Sequence, residues 1–158
     1  MKITLGTRTE ETVAIYFDRA NTPEIRRFLP QKARTLDEAL ADYRMTLLPG
    51  ATSYGRTIYA DGRYVGDVWC YCIDPDDEPN AMLSYCIFDE NVRGQGAATE
   101  AVRLFIEEIT EKFSLGSIGA FTFSENTASI RVLEKNGFSV AEEFEEDGVP
   151  SKYFQRQA

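Results

Sequence analysis

A glycine-containing segment lies between an apolar stretch and an amphipathic stretch, and it reads Val92-Arg93-Gly94-Gln95-Gly96-Ala97-Ala98. Glycine permits backbone conformations that other residues avoid, and it lets N–H groups approach a ligand closely. A helix that begins after such a loop directs unpaired N–H groups and the positive end of its dipole at the same place. We therefore interpret the segment as an anion-binding loop, to which the Arg93 guanidinium adds a bidentate donor.

The two common glycine motifs of nucleotide-binding proteins do not fit this loop. The sequence contains no Gly-x-x-x-x-Gly-Lys, and Thr99 stands where Gly-x-Gly-x-x-Gly requires its last glycine. A nucleotide-triphosphate loop is therefore excluded.

The residue composition narrows the chemistry further. The 158-residue chain contains no histidine, which excludes a Ser-His or Cys-His nucleophile, a histidine base and a histidine-ligated metal. Carboxylates, hydroxyls, backbone groups and water remain available. The net charge of −9 argues against a basic nucleic-acid surface, so we expect no nucleic-acid partner.

The cysteines and the apolar segments indicate a cellular setting. The three cysteines are Cys70, Cys72 and Cys86, and neither a signal peptide nor an apolar run approaching the ~20 residues of a membrane span is evident. We expect a soluble cytoplasmic protein with reduced thiols and no membrane partner. Cys70 and Cys72 are spaced for one strand face. A metal pair is the alternative reading, but no further soft ligands accompany them, and we expect no metal.

Periodicity and turn residues predict the elements that must position the loop. Helical spacing and capping signals alternate with strand-like runs, and Asp61-Gly62 and Asp147-Gly148 mark hairpins. Thr7 and Glu10 have the spacing of a capping box. The predicted order is strand Met1–Leu5, a helix to Arg19, helix Pro23–Leu29, a helix to Leu47, strands Ser53–Ala60, Arg63–Ile73 and Ala81–Phe88, helix Ala98–Phe113, strand Ser117–Phe123, helix Ser124–Asn136, and strands Phe138–Phe144 and Ser151–Gln155. This order indicates one mixed α+β domain over residues 1–158.

A second segment raises the specificity of the first. It reads Asn126-x-x-Ser129-Ile130-Arg131-Val132-Leu133-Glu134-Lys135-x-Gly137-Phe138. Together with Arg93-x-x-Gly96-x-Ala98 it resembles the GNAT superfamily of N-acetyltransferases, whose pyrophosphate signature is Gln/Arg-x-x-Gly-x-Gly/Ala. The two segments are most similar to the branch that includes the ribosomal-protein alanine acetyltransferases. The strong resemblance runs from Leu83 to Phe138.

The resemblance implies a fold and a cofactor site. The fold is a mixed, mostly antiparallel central sheet of about six or seven strands, with helices on both faces and a V-shaped splay between the fourth and fifth strands. Acetyl-CoA is expected to bind in that splay, with its pantetheine arm paired to the fourth strand and its pyrophosphate in the loop. The cofactor-binding residues implied are Cys86, Ile87, Phe88, Arg93, Gly94, Gln95, Gly96, Ala97, Ala98, Asn126 and Arg131.

The implied reaction is direct transfer of an acetyl group from acetyl-CoA to a primary amine of a small molecule or a protein N-terminus, in a ternary complex. Many relatives protonate the leaving thiolate with a tyrosine, but Leu133 occupies that position here. The branch resemblance instead places Ser129 near the sulfur and makes Glu145 the base, with Glu143 next. Tyr85 is a further candidate hydroxyl.

Each of these assignments has a structural alternative. Ser129 can cap its own helix, Tyr85 can be a core aromatic, Arg131 can be a solvated helix charge, and Glu145 belongs to an acidic cluster typical of solvated surface. A non-catalytic module that binds coenzyme A therefore remains an alternative function.

The acidic clusters at residues 74–78 and 142–147 also bear on the acceptor. A negative rim attracts a cationic amine, so we expect a positively charged acceptor. Members of the resembled family are often dimers, but no interface can be named from this sequence, so we expect either a monomer or a homodimer.

Overall fold

A seven-stranded sheet forms the centre of the molecule in the computed structural model, which describes residues 1–29 and 33–158. The strands are β1 (Ile3–Thr7), β2 (Tyr54–Ala60), β3 (Arg63–Asp74), β4 (Asn80–Ile87), β5 (Ser117–Phe123), β6 (Ser139–Glu146) and β7 (Val149–Gln157). The helices are α1 (Glu10–Arg19), α2 (Pro23–Phe28), α3 (Leu36–Met45), α4 (Ala97–Phe113) and α5 (Thr127–Lys135), with one 3-10 turn at Glu90–Val92.

The strands are ordered β1-β2-β3-β4-β5-β7-β6 across the sheet. All neighbouring pairs are antiparallel except β4 and β5, which run parallel. This arrangement confirms the predicted mixed, mostly antiparallel sheet.

The parallel pair separates after a short contact. The register joins Asn80 to Ser117, Ala81 to Ile118 and Met82 to Gly119 and then ends, although both strands continue. Beyond Met82 and Gly119, β4 and β5 therefore form no hydrogen bonds with each other. This is the splay predicted between the fourth and fifth strands.

Helix α4 covers one face of the sheet through its apolar side. Phe105 and Ile109 are fully buried, and Phe105 stacks on Tyr54 of β2 with ring centroids 5.9 Å apart. Burial of such side chains stabilises the fold by about 1.5–3 kcal/mol each. Helix α1 lies on the other face, where Tyr16 packs edge-on against Trp69 of β3 at 6.1 Å. The predicted helices on both faces are confirmed.

One capping prediction was wrong. Strand β1 extends through Thr7, and α1 is capped two residues later by Thr9, whose side chain accepts a hydrogen bond from the Thr12 N–H. Thr12, three residues after this cap, completes the capping box, because its hydroxyl accepts from the Thr9 N–H. In the predicted box a carboxylate, that of Glu10, had this role. The pairing of β1 with β2 takes Thr7 into the sheet.

Candidate active site

A cleft of about 620 Å³ opens where β4 and β5 separate. The two strands form its base, α5 forms one wall, and the glycine loop with the first turn of α4 closes one end. Helix α2 lies along the opposite side. The splay between β4 and β5, the glycine loop and the second sequence motif on α5 therefore border the same cleft.

Most residues singled out from the sequence line this cleft. They are Tyr85, Cys86, Ile87, Arg93, Gly94, Gly96, Ala97, Ala98, Asn126, Ser129 and Arg131. Phe88, Gln95 and Glu145 do not line it. The Gln95 amide instead donates to the Asn91 carbonyl at 2.7 Å.

The first turn of α4 provides free backbone donors. Gly94 and Gly96 both adopt positive φ, at 75° and 84°, and a Cβ on either would meet no atom within 4 Å. Gly96 is the N-cap of α4 and offers no side-chain acceptor, whereas Thr9, Thr22, Thr35 and Asn126 cap the other described helices. The N–H groups that open a helix need such a partner. At α4 they are left available to an anion in the cleft.

The side chain of Arg93 is already engaged. Its Nε donates to the Ile87 carbonyl at 3.1 Å, and its Nη1 pairs with Oε1 of Glu24 at 2.8 Å. Arg93 therefore ties the glycine loop to β4 and to α2, a role that its position in the motif did not reveal.

Two cations on α5 also line the cleft. Arg131 was predicted, but Lys135 was not. They lie four residues apart, and side chains at that spacing share one face of a helix. This spacing was the signal that could have identified Lys135.

The two candidate hydroxyls come together in the cleft. Tyr85 on β4 and Ser129 on α5 both line it. Burial raises the pKa of Tyr85 to about 12, and the neighbouring Ser129 side chain lowers it by less. Tyr85 also packs against the core cluster. Its ring therefore has the alternative role of a core aromatic, while the residue also lines the cleft.

Helix α5 is capped by Asn126, whereas capping this helix was the alternative role considered for Ser129. The Asn126 Oδ1 accepts from the Ser129 N–H at 3.3 Å. Within the described residues, the Ser129 hydroxyl forms no bond to its own helix backbone. The serine side chain is thus left to face Tyr85.

The backbone groups of β4 divide between two sides. The Phe88 N–H donates to the Val65 carbonyl at 2.9 Å, and Asp67 stands opposite Cys86 in the same register. Because hydrogen-bonded pairs alternate along an antiparallel ladder, Cys86 and Phe88 face β3. Tyr85 and Ile87 face the splay. The predicted pantetheine partners Cys86 and Phe88 therefore have their N–H groups directed away from it.

Glu145 lies near the end of the last hairpin, opposite Pro150, and is exposed. Its neighbour Glu143 pairs with Lys152 at 3.5 Å. Alternation along β6 puts Glu143 and Glu145 on one face of the sheet and Glu142 on the other. The structure does not bring Glu145 together with Ser129 or Tyr85.

A buried carboxyl group, that of Asp67 on β3, stands opposite Cys86 of β4. Asp67 is 2% exposed and accepts from Arg8 Nε at 3.1 Å and from the Tyr64 hydroxyl. Burial raises the pKa of Asp67, and Arg8 lowers it by less. Burial also raises the pKa of the Cys86 thiol to about 11, so this thiol is neutral at physiological pH.

Residues 1–29 and 33–158 contain no group of three or more cysteine, aspartate or glutamate side chains placed to hold a metal ion. No helix in this part of the chain has the length and apolar character needed to cross a membrane.

The sequence matches one family model and one curated relative. The family model described as "Acetyltransferase (GNAT) domain" matches residues 3–139. The curated "Probable N-acetyltransferase YjcK" of Bacillus subtilis (strain 168) is 34% identical over 85 residues, an alignment that covers 54% of this chain and 46% of YjcK. The chain thus matches less than half the length of that relative.

Solved structures share the fold over nearly the whole chain. Aminoglycoside acetyltransferase AAC(6')-Ib with coenzyme A has a TM-score of 0.82 and 19% identity, covering 99% of this chain and 95% of its own. Spermidine N-acetyltransferase from Vibrio cholerae, with CoA and spermine, has a TM-score of 0.85 and 16% identity, covering 98% and 95%. Since the family model spans most of the sequence and the fold agrees with it, the chain belongs to the GNAT acetyltransferase domain family.

Proposed function

We propose that this chain is an N-acetyltransferase that transfers an acetyl group from acetyl-CoA to a primary amine. The observation that carries the proposal is the cleft between β4 and β5, because it joins free backbone donors at one end to a pair of hydroxyls on its walls. Membership of the GNAT family supports the same reading.

The end of the cleft at α4 fits the phosphates of coenzyme A. The N–H groups of Ala97, Ala98 and Thr99 are uncapped, and the positive end of a 17-residue helix favours an anion there. Gly94 and Gly96 leave open space where side chains would crowd a phosphate. Arg131 and Lys135 add positive charge along the wall.

The open edge of β4 fits the amide-containing arm of the cofactor. Backbone groups of Tyr85 and Ile87 face the splay, where β5 has moved away. An extended ligand with amide groups can pair with such an edge as an added strand. The Ile87 carbonyl is engaged by Arg93, which leaves the Ile87 N–H as the donor.

Bound acetyl-CoA supplies a thioester, whose acyl carbon the neutral amine attacks and whose sulfur departs as a thiolate. In this proposal Tyr85 and Ser129, which both line the cleft, supply the hydroxyls that donate a proton or a hydrogen bond to that sulfur. The pKa of about 12 keeps Tyr85 protonated at physiological pH, so it acts as a donor and not as a base.

The amine must lose a proton before it attacks, because a free alkylamine is mostly charged at neutral pH. Glu145 remains the predicted base from the family resemblance, although its exposed position outside the cleft requires water to carry the proton. Asp67 does not serve as the base in this proposal, because its carboxylate already accepts hydrogen bonds from Arg8 and Tyr64.

The test mixes the protein with acetyl-CoA and a panel of primary amines, and follows thiol release together with the masses of the products. Acetylated amine and released thiol in equal amounts are expected. Tight binding of coenzyme A by calorimetry, without turnover of any amine, would instead indicate the non-catalytic module.

A further inference from the structure

Three aromatic side chains form a continuous surface on one face of β5, β7 and β6. The ring of Phe121 lies 5.1 Å from that of Tyr153 and 5.8 Å from that of Phe144. The β5–β7 register places Phe121 directly opposite Tyr153. We call these three residues the aromatic platform.

The platform is continuous with the cleft and open to solvent. Phe121 lines the cleft, yet it is 55% exposed. A Cβ on Gly119 would lie 2.5 Å from the Tyr153 hydroxyl and 2.9 Å from the sulfur of Met82. The absence of a side chain at Gly119 therefore lets Tyr153 lie along the sheet toward the splay.

A carboxylate borders the platform at its outer strand. Glu142 stands opposite Tyr153 in the β6–β7 register, and side chains at such positions lie on the same face, about 5 Å apart at Cβ. Glu143 projects to the other face, where it pairs with Lys152 at 3.5 Å. Within the described residues Glu142 forms no ion pair, so its charge faces solvent beside the rings.

We propose that the aromatic platform and Glu142 bind a second cationic group of a diamine or polyamine acceptor, while its reacting amine enters the cleft. Ammonium groups are attracted both to the faces of aromatic rings and to a carboxylate. The outer strand β6 lies two strand spacings from β5, or about 10 Å. An acceptor with two amino groups about that far apart therefore spans the site.

This inference rests on the proposed function, and a matched pair of amines tests it. Octylamine and 1,8-diaminooctane have the same carbon chain, but the second carries an additional charge at its far end. The value of kcat/KM should be at least about 10-fold higher for the diamine. The preference should shrink as salt screens the exposed charges.

Variants at two exposed acids locate the second charge. Glu142→Gln should remove most of the preference for the diamine, whereas Glu111→Gln, which removes an exposed carboxylate of α4, should leave it intact. Phe121→Leu should weaken diamine binding measured by calorimetry in the presence of coenzyme A, a readout that does not depend on turnover. A preference that survives Glu142→Gln, or equal rates for the two amines, would overturn the inference.

The remaining outcomes separate this inference from the proposed function. Equal acetylation of both amines contradicts only the platform, whereas absence of thiol release with every amine contradicts the acetyltransferase assignment. Sedimentation velocity tests whether a second copy of the chain covers the platform. A dimer that Phe121→Ser converts to monomer would overturn the inference, and a monomer in both proteins supports it.

Discussion

Arg93 and Glu24 form an ion pair of 2.8 Å that joins the glycine loop to helix α2 across the cleft. The same guanidinium donates to the Ile87 carbonyl of β4. The arginine of the motif thus contacts both the strand that borders the splay and the helix that flanks it, and its partner Glu24 is an acid beside the predicted phosphate site.

Removing the acid should strengthen cofactor binding. In Glu24→Gln, phosphate oxygens no longer compete with a carboxylate for Arg93. An exposed ion pair contributes up to about 1 kcal/mol, so we expect coenzyme A affinity by calorimetry to rise by about two- to fivefold at low salt. Glu125→Gln is the control, because it removes the Arg27 pair without touching Arg93. Unchanged or weaker binding in Glu24→Gln would contradict the competition.

A negative charge in the glycine loop should abolish cofactor binding. Gly96→Asp puts a carboxylate beside the predicted pyrophosphate, and a like charge ~4 Å away costs about 4 kcal/mol at an effective dielectric of 20. Calorimetry should show a ~1000-fold loss of coenzyme A affinity. Gly96→Asn matches the shape and tolerates positive φ, so it separates charge from backbone strain. Equal losses in both variants would rule out the electrostatic explanation.

The paired hydroxyls should affect turnover more than binding. Ser129→Ala and Tyr85→Phe should each lower kcat by about 100-fold or more, with acetyl-CoA affinity retained. Because burial raises the pKa of Tyr85 to about 12, the loss in Tyr85→Phe should be the same at about pH 7 and pH 9. Full kcat in both variants would leave solvent as the proton source.

The buried ion pair between Arg8 and Asp67 should contribute far more to the free energy of unfolding than an exposed ion pair does. Asp67→Ala leaves Arg8 and Tyr64 without their partner, and breaking a buried pair in this way costs about 3–5 kcal/mol of unfolding free energy. The control is Glu10→Gln, which removes an ion pair with Arg44 whose side chains are both 59% exposed. That change should cost less than about 1 kcal/mol in urea unfolding. Similar losses for the two variants would contradict the role given to burial.

Local sequence was sufficient for the elements around the site. Glycine at positive φ followed by an apolar helical repeat predicts the loop and α4, because both signals depend on residues close together in the chain. The same holds for the hairpin at Asp61-Gly62, where both residues adopt positive φ. The error at Thr7 arose because β1 pairs with β2, a strand distant in sequence.

Side-chain partners across the cleft could not be predicted in the same way. Arg93 looked like a free phosphate ligand, yet its contacts are Glu24, 69 positions away, and a carbonyl of β4. Which N–H groups of β4 face the splay depends on the register with β3, and one step of that register exchanges Cys86 for Ile87.

By itself the sequence determined the family, the order of elements, the position of the glycine loop before α4 and the absence of histidine chemistry, since paired motifs and composition are properties of the chain alone. Only the tertiary structure decided that Tyr85 lies beside Ser129, that Glu142 and not Glu145 shares a face with Phe121, and that α2 lies along the cleft. The physical reason is that strand register and helix packing bring distant residues together, and a one-residue shift in a strand reverses the face on which a side chain lies.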